Sequence, residues 1–219
     1  MPVSAYIQSA VFLVLLAAAL FGSAGTIDIP GFWLYLAIFV MVFVASFLGL
    51  DPDLFRERMR PGGNPMPVSL RLFSMVLFLH WILAGLDRGR FHWSDTVPLW
   101  LQVVGLIVVA VAYALCFWAM RVNRFFSSVI RIQADRGQYV VTTGPYAFVR
   151  HPGYTAGLLI ILASGIALGS WLATALLVIA CLPFLLYRTI AEDRILTAEL
   201  AGYSDYARHV RWRLCPGIW

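Results

Sequence analysis

The sequence predicts an all-α polytopic integral membrane protein: four transmembrane helices followed by a C-terminal helical hairpin, five to six membrane segments in one domain spanning residues 1–219. Three observations carry this. Hydrophobic residues make up 61% of the chain and charged ones only 12%, with a mean hydropathy of +0.82, whereas a soluble domain carries about 25% charged residues. The apolar residues fall into runs near the roughly 20 residues needed to cross a bilayer. The basic residues collect in alternate linkers.

The runs, in order, are Tyr6–Phe21, Phe32–Leu50, Val68–Leu86 and Val97–Met120. The first could be mistaken for a signal peptide. It has no basic residue ahead of it, and Gly22-Ser23-Ala24-Gly25 is a weak cleavage site, so an uncleaved first helix is expected. The last tract, Tyr154–Tyr187, is too long for one ordinary crossing and divides at Gly165–Ser170. It reads as a hairpin, with one long tilted helix as the alternative. Residues 1–120 thus form the N-terminal helices, and 121–219 hold a polar connector, the hairpin and a polar tail.

All 16 basic residues are arginine. Arg56, Arg58, Arg60 and Arg71 cluster around the second linker; Arg121, Arg124, Arg131, Arg136 and Arg150 lie in the connector; Arg188, Arg194, Arg208, Arg211 and Arg213 follow the hairpin. Linker 22–31 has none, and in 87–96 Arg88 and Arg90 are offset by Asp87 and Asp95. Because basic loops stay cytoplasmic, both termini are expected in the cytoplasm, and the final tract must go out and return. The all-arginine usage points to a GC-rich bacterial genome and so to a bacterial inner membrane. The net charge of +5 then marks a basic face near anionic membrane lipids, not a nucleic-acid surface. Cys116, Cys181 and Cys215 are scattered and give neither a disulfide framework nor a metal spacing.

The densest polar stretch is Gly144-Pro145-Tyr146-Ala147-Phe148-Val149-Arg150-His151-Pro152-Gly153-Tyr154. At membrane level such backbone is tolerated only where protein or a water-filled cavity satisfies it, which suggests a site. Gln138–Thr143 reads as extended chain, and Gly144-Pro145 turns it. Pro152 suits the first turn of a helix and pushes His151 out of helical conformation. His151 would then sit at a helix start, where free N–H groups attract an anion. The plainer reading is an ordered turn with His151 satisfied by a carbonyl. Gly153/Gly157 and Gly165/Gly169 are small-residue pairs that permit close helix approach. Beyond the hairpin, Arg188 and Glu192 share a helical face. Arg188 stands at the membrane boundary, where a charge faces a cavity or a partner, and arginine can grip a carboxylate through two hydrogen bonds. The tail residues Tyr203, Tyr206, Arg208, Arg211 and Arg213 suggest a lid on the membrane surface, with lipid headgroups as the simplest role for its arginines.

Gly144-Pro145-Tyr146, Arg150-His151-Pro152-Gly153-Tyr154, Arg188, Glu192-Asp193, Gly202-Tyr203-Ser204-Asp205-Tyr206 and Pro216 follow one another as in the isoprenylcysteine carboxyl methyltransferase family, which residues 121–219 resemble. That half is also similar to phospholipid N-methyltransferases. The resemblance implies an S-adenosylmethionine-dependent methyltransferase within a helical membrane fold. It implies a cofactor pocket lined by Gln133, Gln138, Tyr139, Val140, Val141, Tyr146, His151, Pro152, Gly153 and Tyr154 and closed by Glu192, with Arg188 contacting substrate. Gln138 departs from the family, which often has histidine there, and eukaryotic members have more helices before the motif.

The function expected is methyl transfer to a lipophilic small molecule or prenylated substrate, a carboxylate-bearing lipid fitting Arg188 best, with His151 and Glu192 as the available bases. The alternatives are ethanolamine-phospholipid N-methylation, a non-enzymatic transporter or assembly protein, and a reductase of the sterol-reductase-like membrane fold. For transport, His80 is the main ionisable residue within the helices, and it reads better as a helix–helix hydrogen-bonding group. Oligomeric state is left open.

Overall fold

A computed structural model describes residues 3–59, 62 and 67–219, so Arg60 lies outside the described residues. The helices are α1 (Val3–Ala17), continued by a π-helical turn over Ala18–Gly22, α2 (Pro30–Gly49), α3 (Pro52–Met59), α4 (Val68–Leu86), α5 (Leu99–Val122), α6 (Pro152–Ala167), α7 (Trp171–Glu199) and α8 (Tyr203–His209). Among the described residues there is no strand. Five spans are long and apolar enough to cross a membrane: Ala5–Gly22, Pro30–Gly49, Val68–Phe91, Leu99–Val122 and Trp171–Glu199. The shorter α6 is apolar too. The chain is a polytopic all-α membrane protein, with α6 and α7 as its hairpin.

The hairpin turns through Gly169, whose φ of +76° lies in the left-handed region that glycine enters without a steric penalty. Ser170 caps α7 by accepting the Ala173 N–H at 3.0 Å. The two helices touch at Gly165, where a Cβ would lie 2.2 Å from the Thr174 backbone nitrogen. The long tilted single helix is therefore not what forms. The apolar tract understates α7, however, which continues from Tyr187 to Glu199. Helix length follows backbone propensity, and Thr189–Glu199 contains no glycine or proline to stop it. Pro183 sits inside α7 without ending it.

Linkers 22–29 and 87–98 and the hairpin turn share one end of the molecule. Arg90 Nε donates to the Ser23 carbonyl at 2.7 Å. The buried Asp87 carboxylate accepts the Ser94 N–H at 2.9 Å and the hydroxyls of Ser94 and Ser170. At the other end α3, the connector and the tail meet: Arg131 pairs with Glu57 at 3.1 Å and Arg136 with Asp53 at 2.5 Å. The alternation of arginine-poor and arginine-rich segments thus corresponds to two physical ends. Between them, His80 on α4 accepts or donates to Ser164 on α6 at 2.9 Å, and Ser164 bonds the Tyr35 hydroxyl of α2 at 2.6 Å. Trp81 donates to the same Tyr35 oxygen at 3.2 Å. His80 is the interhelical hydrogen-bonding residue its sequence context suggested.

Candidate functional site

The connector enters the site as irregular chain. After α5, Asn123 accepts the Phe125 N–H at 2.9 Å and donates to the Tyr146 hydroxyl at 3.0 Å, joining the two ends of the connector. Gln133 is buried. Its side-chain amide donates to the Phe125 carbonyl at 2.6 Å, while its own N–H donates to Gln138 Oε1 at 2.6 Å. Gln138 therefore spends its acceptor on holding this loop. Gly144 starts a 3₁₀ turn at φ +60°, and a Cβ there would meet Val122 at 2.9 Å. Glycine is needed both for the conformation and for the space.

His151 has φ −127° and ψ 64°, outside the helical region, and Pro152 opens α6. The His151 carbonyl takes the N–H groups of Tyr154 and Thr155, at 2.9 and 3.0 Å. Proline supplies none, so this helix start leaves the Gly153 N–H free rather than a cluster of donors. The His151 side chain does not cap the helix. Nε2–H donates to Asp193 Oδ1 at 3.1 Å, a carboxylate in place of the carbonyl that the plainer reading supposed.

Asp193, next to Glu192 in the chain, is a hub. Besides His151, its carboxylate receives Arg150 Nη2 at 3.1 Å, Arg213 Nε at 2.9 Å and the Tyr203 hydroxyl at 3.0 Å. Arg150 Nε also lies 3.1 Å from Oδ1 but is not aligned for a hydrogen bond. Arg213 thus reaches into the site, beyond the headgroup role expected of the tail arginines. Two backbone bonds lace connector to tail, Arg150 N–H to the Trp212 carbonyl at 2.9 Å and His151 N–H to the Arg213 carbonyl at 3.0 Å. Tyr206 donates to the Tyr146 carbonyl at 2.7 Å. Burial pushes the phenols of Tyr146, Tyr203 and Tyr206 well above their ordinary value of 10, keeping all three protonated as donors.

Arg188 and Glu192 do not form the direct ion pair their spacing allows. The Tyr154 hydroxyl stands between them, accepting from Arg188 Nε at 3.2 Å and donating to Glu192 Oε2 at 2.7 Å. Arg188 Nη2 also donates to the Ser128 carbonyl at 2.9 Å.

These parts enclose a cavity of about 340 Å³. Gln133, Gln138, Tyr139, Val140, Val141 and Tyr146 of the connector all line it. So do His151, Pro152, Gly153 and Tyr154 at the start of α6, and Arg188 and Glu192 of α7. An apolar wall comes from the helices, chiefly Leu70 and Phe73 of α4, Cys116 of α5 and Phe184 of α7. Phe73 and Phe184 pack with ring centroids 5.5 Å apart. Among the described residues no three His, Cys, Asp or Glu side chains gather as a metal site.

Residues 103–198 match the Isoprenylcysteine carboxyl methyltransferase (ICMT) family. The match spans 96 of the 219 residues and so shows a likeness to that family over this segment. It is 32% identical over 130 residues to the cobalt-zinc-cadmium resistance protein CzcN of Cupriavidus metallidurans, an overlap of 58% of this chain and 55% of the relative. It is 29% identical over 130 residues to the nickel-cobalt-cadmium resistance protein NccN of Alcaligenes xylosoxydans xylosoxydans, covering 58% of this chain and 56% of the relative. The chain thus spans about half the length of these curated relatives. Its fold is similar to that of the eukaryotic intramembrane Ras methyltransferase ICMT, with a TM-score of 0.67 at 18% identity over 98% of this chain and 76% of the other. The likeness therefore extends in fold to the N-terminal helices, which the family segment barely reaches.

Proposed function

We propose that the cavity binds S-adenosylmethionine and directs its methyl group to a lipophilic acceptor bearing a carboxylate, such as an isoprenylcysteine-like lipid. One observation carries the reading. The Tyr154 hydroxyl holds Arg188, a cation suited to an acceptor carboxylate, and Glu192, an anion suited to donor hydroxyl or amino groups, in one hydrogen-bonded array on the cavity wall. The family segment and the apolar helix wall support it.

The residues present fit such a cofactor. A volume of about 340 Å³ lies within the roughly 300–1,000 Å³ of small-molecule pockets. Tyr139, Val140 and Val141 line the cavity with backbone groups that make no backbone–backbone bond among the described residues, leaving donors and acceptors for a polar ligand. Glu192 would accept hydrogen bonds from the cofactor's amino or ribose groups, and the Gly153 N–H and Arg150 would face its anionic end.

The sulfonium supplies an already activated methyl: its S–CH₃ bond breaks as an O–CH₃ bond forms, the sulfur keeps the electron pair, and no proton moves. Arg188 would orient the acceptor carboxylate in line with that bond, which is where proximity yields rate. An amine acceptor would instead have to lose a proton. Arg188, a cation on the cavity wall, would also repel a protonated amine headgroup. That favours the carboxylate over the ethanolamine headgroup.

Calorimetric titration with adenosylhomocysteine tests the cofactor half. Wild type binds, and Glu192→Ala weakens binding at least tenfold, about 1.4 kcal/mol; equal affinities would remove Glu192 from the pocket. Incubation with methyl-labelled adenosylmethionine and lipids tests the acceptor. Base-labile label marks an ester, while base-stable label would mark N-methylation and overturn the carboxylate assignment.

A further inference from the structure

Arg58, on the short polar helix α3, also lines the cavity. It differs from its basic neighbours. Arg131 and Arg136 are paired with Glu57, Asp53 and Asp135, and Arg150 and Arg213 with Asp193. All eleven carboxylate side chains of the protein lie among the described residues. None is within ion-pair distance of Arg58. Its guanidinium instead stands over the Phe126 ring, 5.0 Å from the centroid. Arg188 is built the same way: it has no carboxylate within ion-pair distance and stands 5.8 Å over the Phe184 ring.

The two arginines meet through a single residue. The Ser128 carbonyl accepts Arg188 Nη2 at 2.9 Å, and the Ser128 hydroxyl donates to the Arg58 carbonyl at 3.1 Å. Two cations without counter-ions, each backed by an aromatic face, therefore border a hollow with an apolar wall, and Ser128 ties the Arg58 backbone to the Arg188 guanidinium. An unpaired charge in so sheltered a place is stabilised when an anion joins it, and a guanidinium suits a planar, two-oxygen anion.

We propose that Arg58 is a substrate-specificity residue, the second jaw of a two-arginine clamp that grips the anionic oxygens of a lipid acceptor beside Arg188. This deepens the reading above and rests on it for the acceptor's identity. The shared chemistry is a lipid carboxylate or a lipid phosphate. It disfavours acceptors whose polar end is neutral or purely cationic.

The test measures lipid binding directly, without methyl transfer, on full-length protein in detergent micelles. Probes are a farnesylcysteine carboxylate, its methyl ester, and phosphatidylethanolamine, with adenosylhomocysteine titrated separately. Wild type should bind the carboxylate at least tenfold more tightly than the ester. Arg58→Gln should weaken the carboxylate about tenfold and leave the ester and adenosylhomocysteine unchanged; Arg58→Lys, which keeps charge but loses the planar fork, should fall between. Arg56→Gln, on the same helix but outside the cavity lining, should match wild type. If phosphatidylethanolamine is the tighter ligand and the Arg58→Gln loss appears there, the clamp holds phosphate. Equal carboxylate and phosphatidylethanolamine affinities in wild type and Arg58→Gln would overturn the proposal. So would a loss that extends equally to the ester or to adenosylhomocysteine, because Arg58 would then only support the fold. Failure of wild type to bind adenosylhomocysteine would instead sink the methyl-transfer reading, with the clamp still judged by the lipid arms.

Discussion

Asp193 receives hydrogen bonds from Arg150, His151, Tyr203 and Arg213 while it and Arg150 are each under a tenth exposed. Removing one partner of a buried ion pair leaves the others charged and dry, at about 3–5 kcal/mol. Asp193→Ala should therefore lower thermal stability in micelles severely and detach the tail from the connector. Asp205→Ala, which breaks only the exposed pair with Arg208, should stay within about 0.5 kcal/mol of wild type. The contrast in melting temperature checks both. Asp193 shows what the sequence hid. It adjoins Glu192, yet neighbours on a helix point about 100° apart, so the pair serves different partners: Glu192 the Tyr154 hydroxyl, Asp193 the connector and tail. Spacing could pair Arg188 with Glu192; only the fold places a tyrosine from another helix between them.

Among the elements, α3 matters more than its eight residues suggest, because it carries Arg58 and fastens the connector through Glu57. Burial raises the Glu57 carboxyl, but hydrogen bonds from Arg131, the Gly62 N–H and the Ser127 hydroxyl outweigh it and leave the group below its ordinary value of 4.5. A carboxyl depressed in the docked state binds fewer protons there than when released. Its stabilisation is full above pH 4.5 and fades as the pH falls below that value. Protection against hydrogen exchange in residues 123–136, taken relative to the intrinsic rate at each pH, should thus fall between pH 5 and pH 4, and Glu57→Gln should show the lower protection already at pH 7. Unchanged protection in both cases would mean that α3 does not hold the connector. The apolar runs located the bundle helices within a few residues, since hydropathy reports burial in lipid. They missed α3, which is short and carries four charged residues in eight, and the polar third of α7, where the backbone continues helical after hydropathy ends.

For the whole molecule, the arginine pattern anticipated two chemically distinct ends, and the fold gathers α3, the connector and the tail at one of them. The basic end is expected to face the cytoplasm. In intact cells a membrane-impermeant maleimide should label Asp28→Cys but spare Arg211→Cys, judged against the unsubstituted chain; the reverse pattern would invert the assigned orientation. Motif order in residues 144–154 and 188–206 marked the pocket because both stretches carry polar groups the bilayer would reject. Their long-range lacing through backbone bonds to Trp212 and Arg213 leaves no trace in composition.

At the opposite end, the Asp87 carboxylate fastens the C-terminal end of α4 to the first residue before α7 through Ser170. From that rivet the two helices, antiparallel in chain direction, extend side by side toward Phe73 and Phe184, whose rings meet at 5.5 Å. Ser170 and Phe184 are separated by about 21 Å of helix at 1.5 Å per residue, so a swing of about 5° at the rivet parts the rings by about 2 Å. The polar rivet therefore lies at the far end of these two helices from the aromatic pair that lines the cavity.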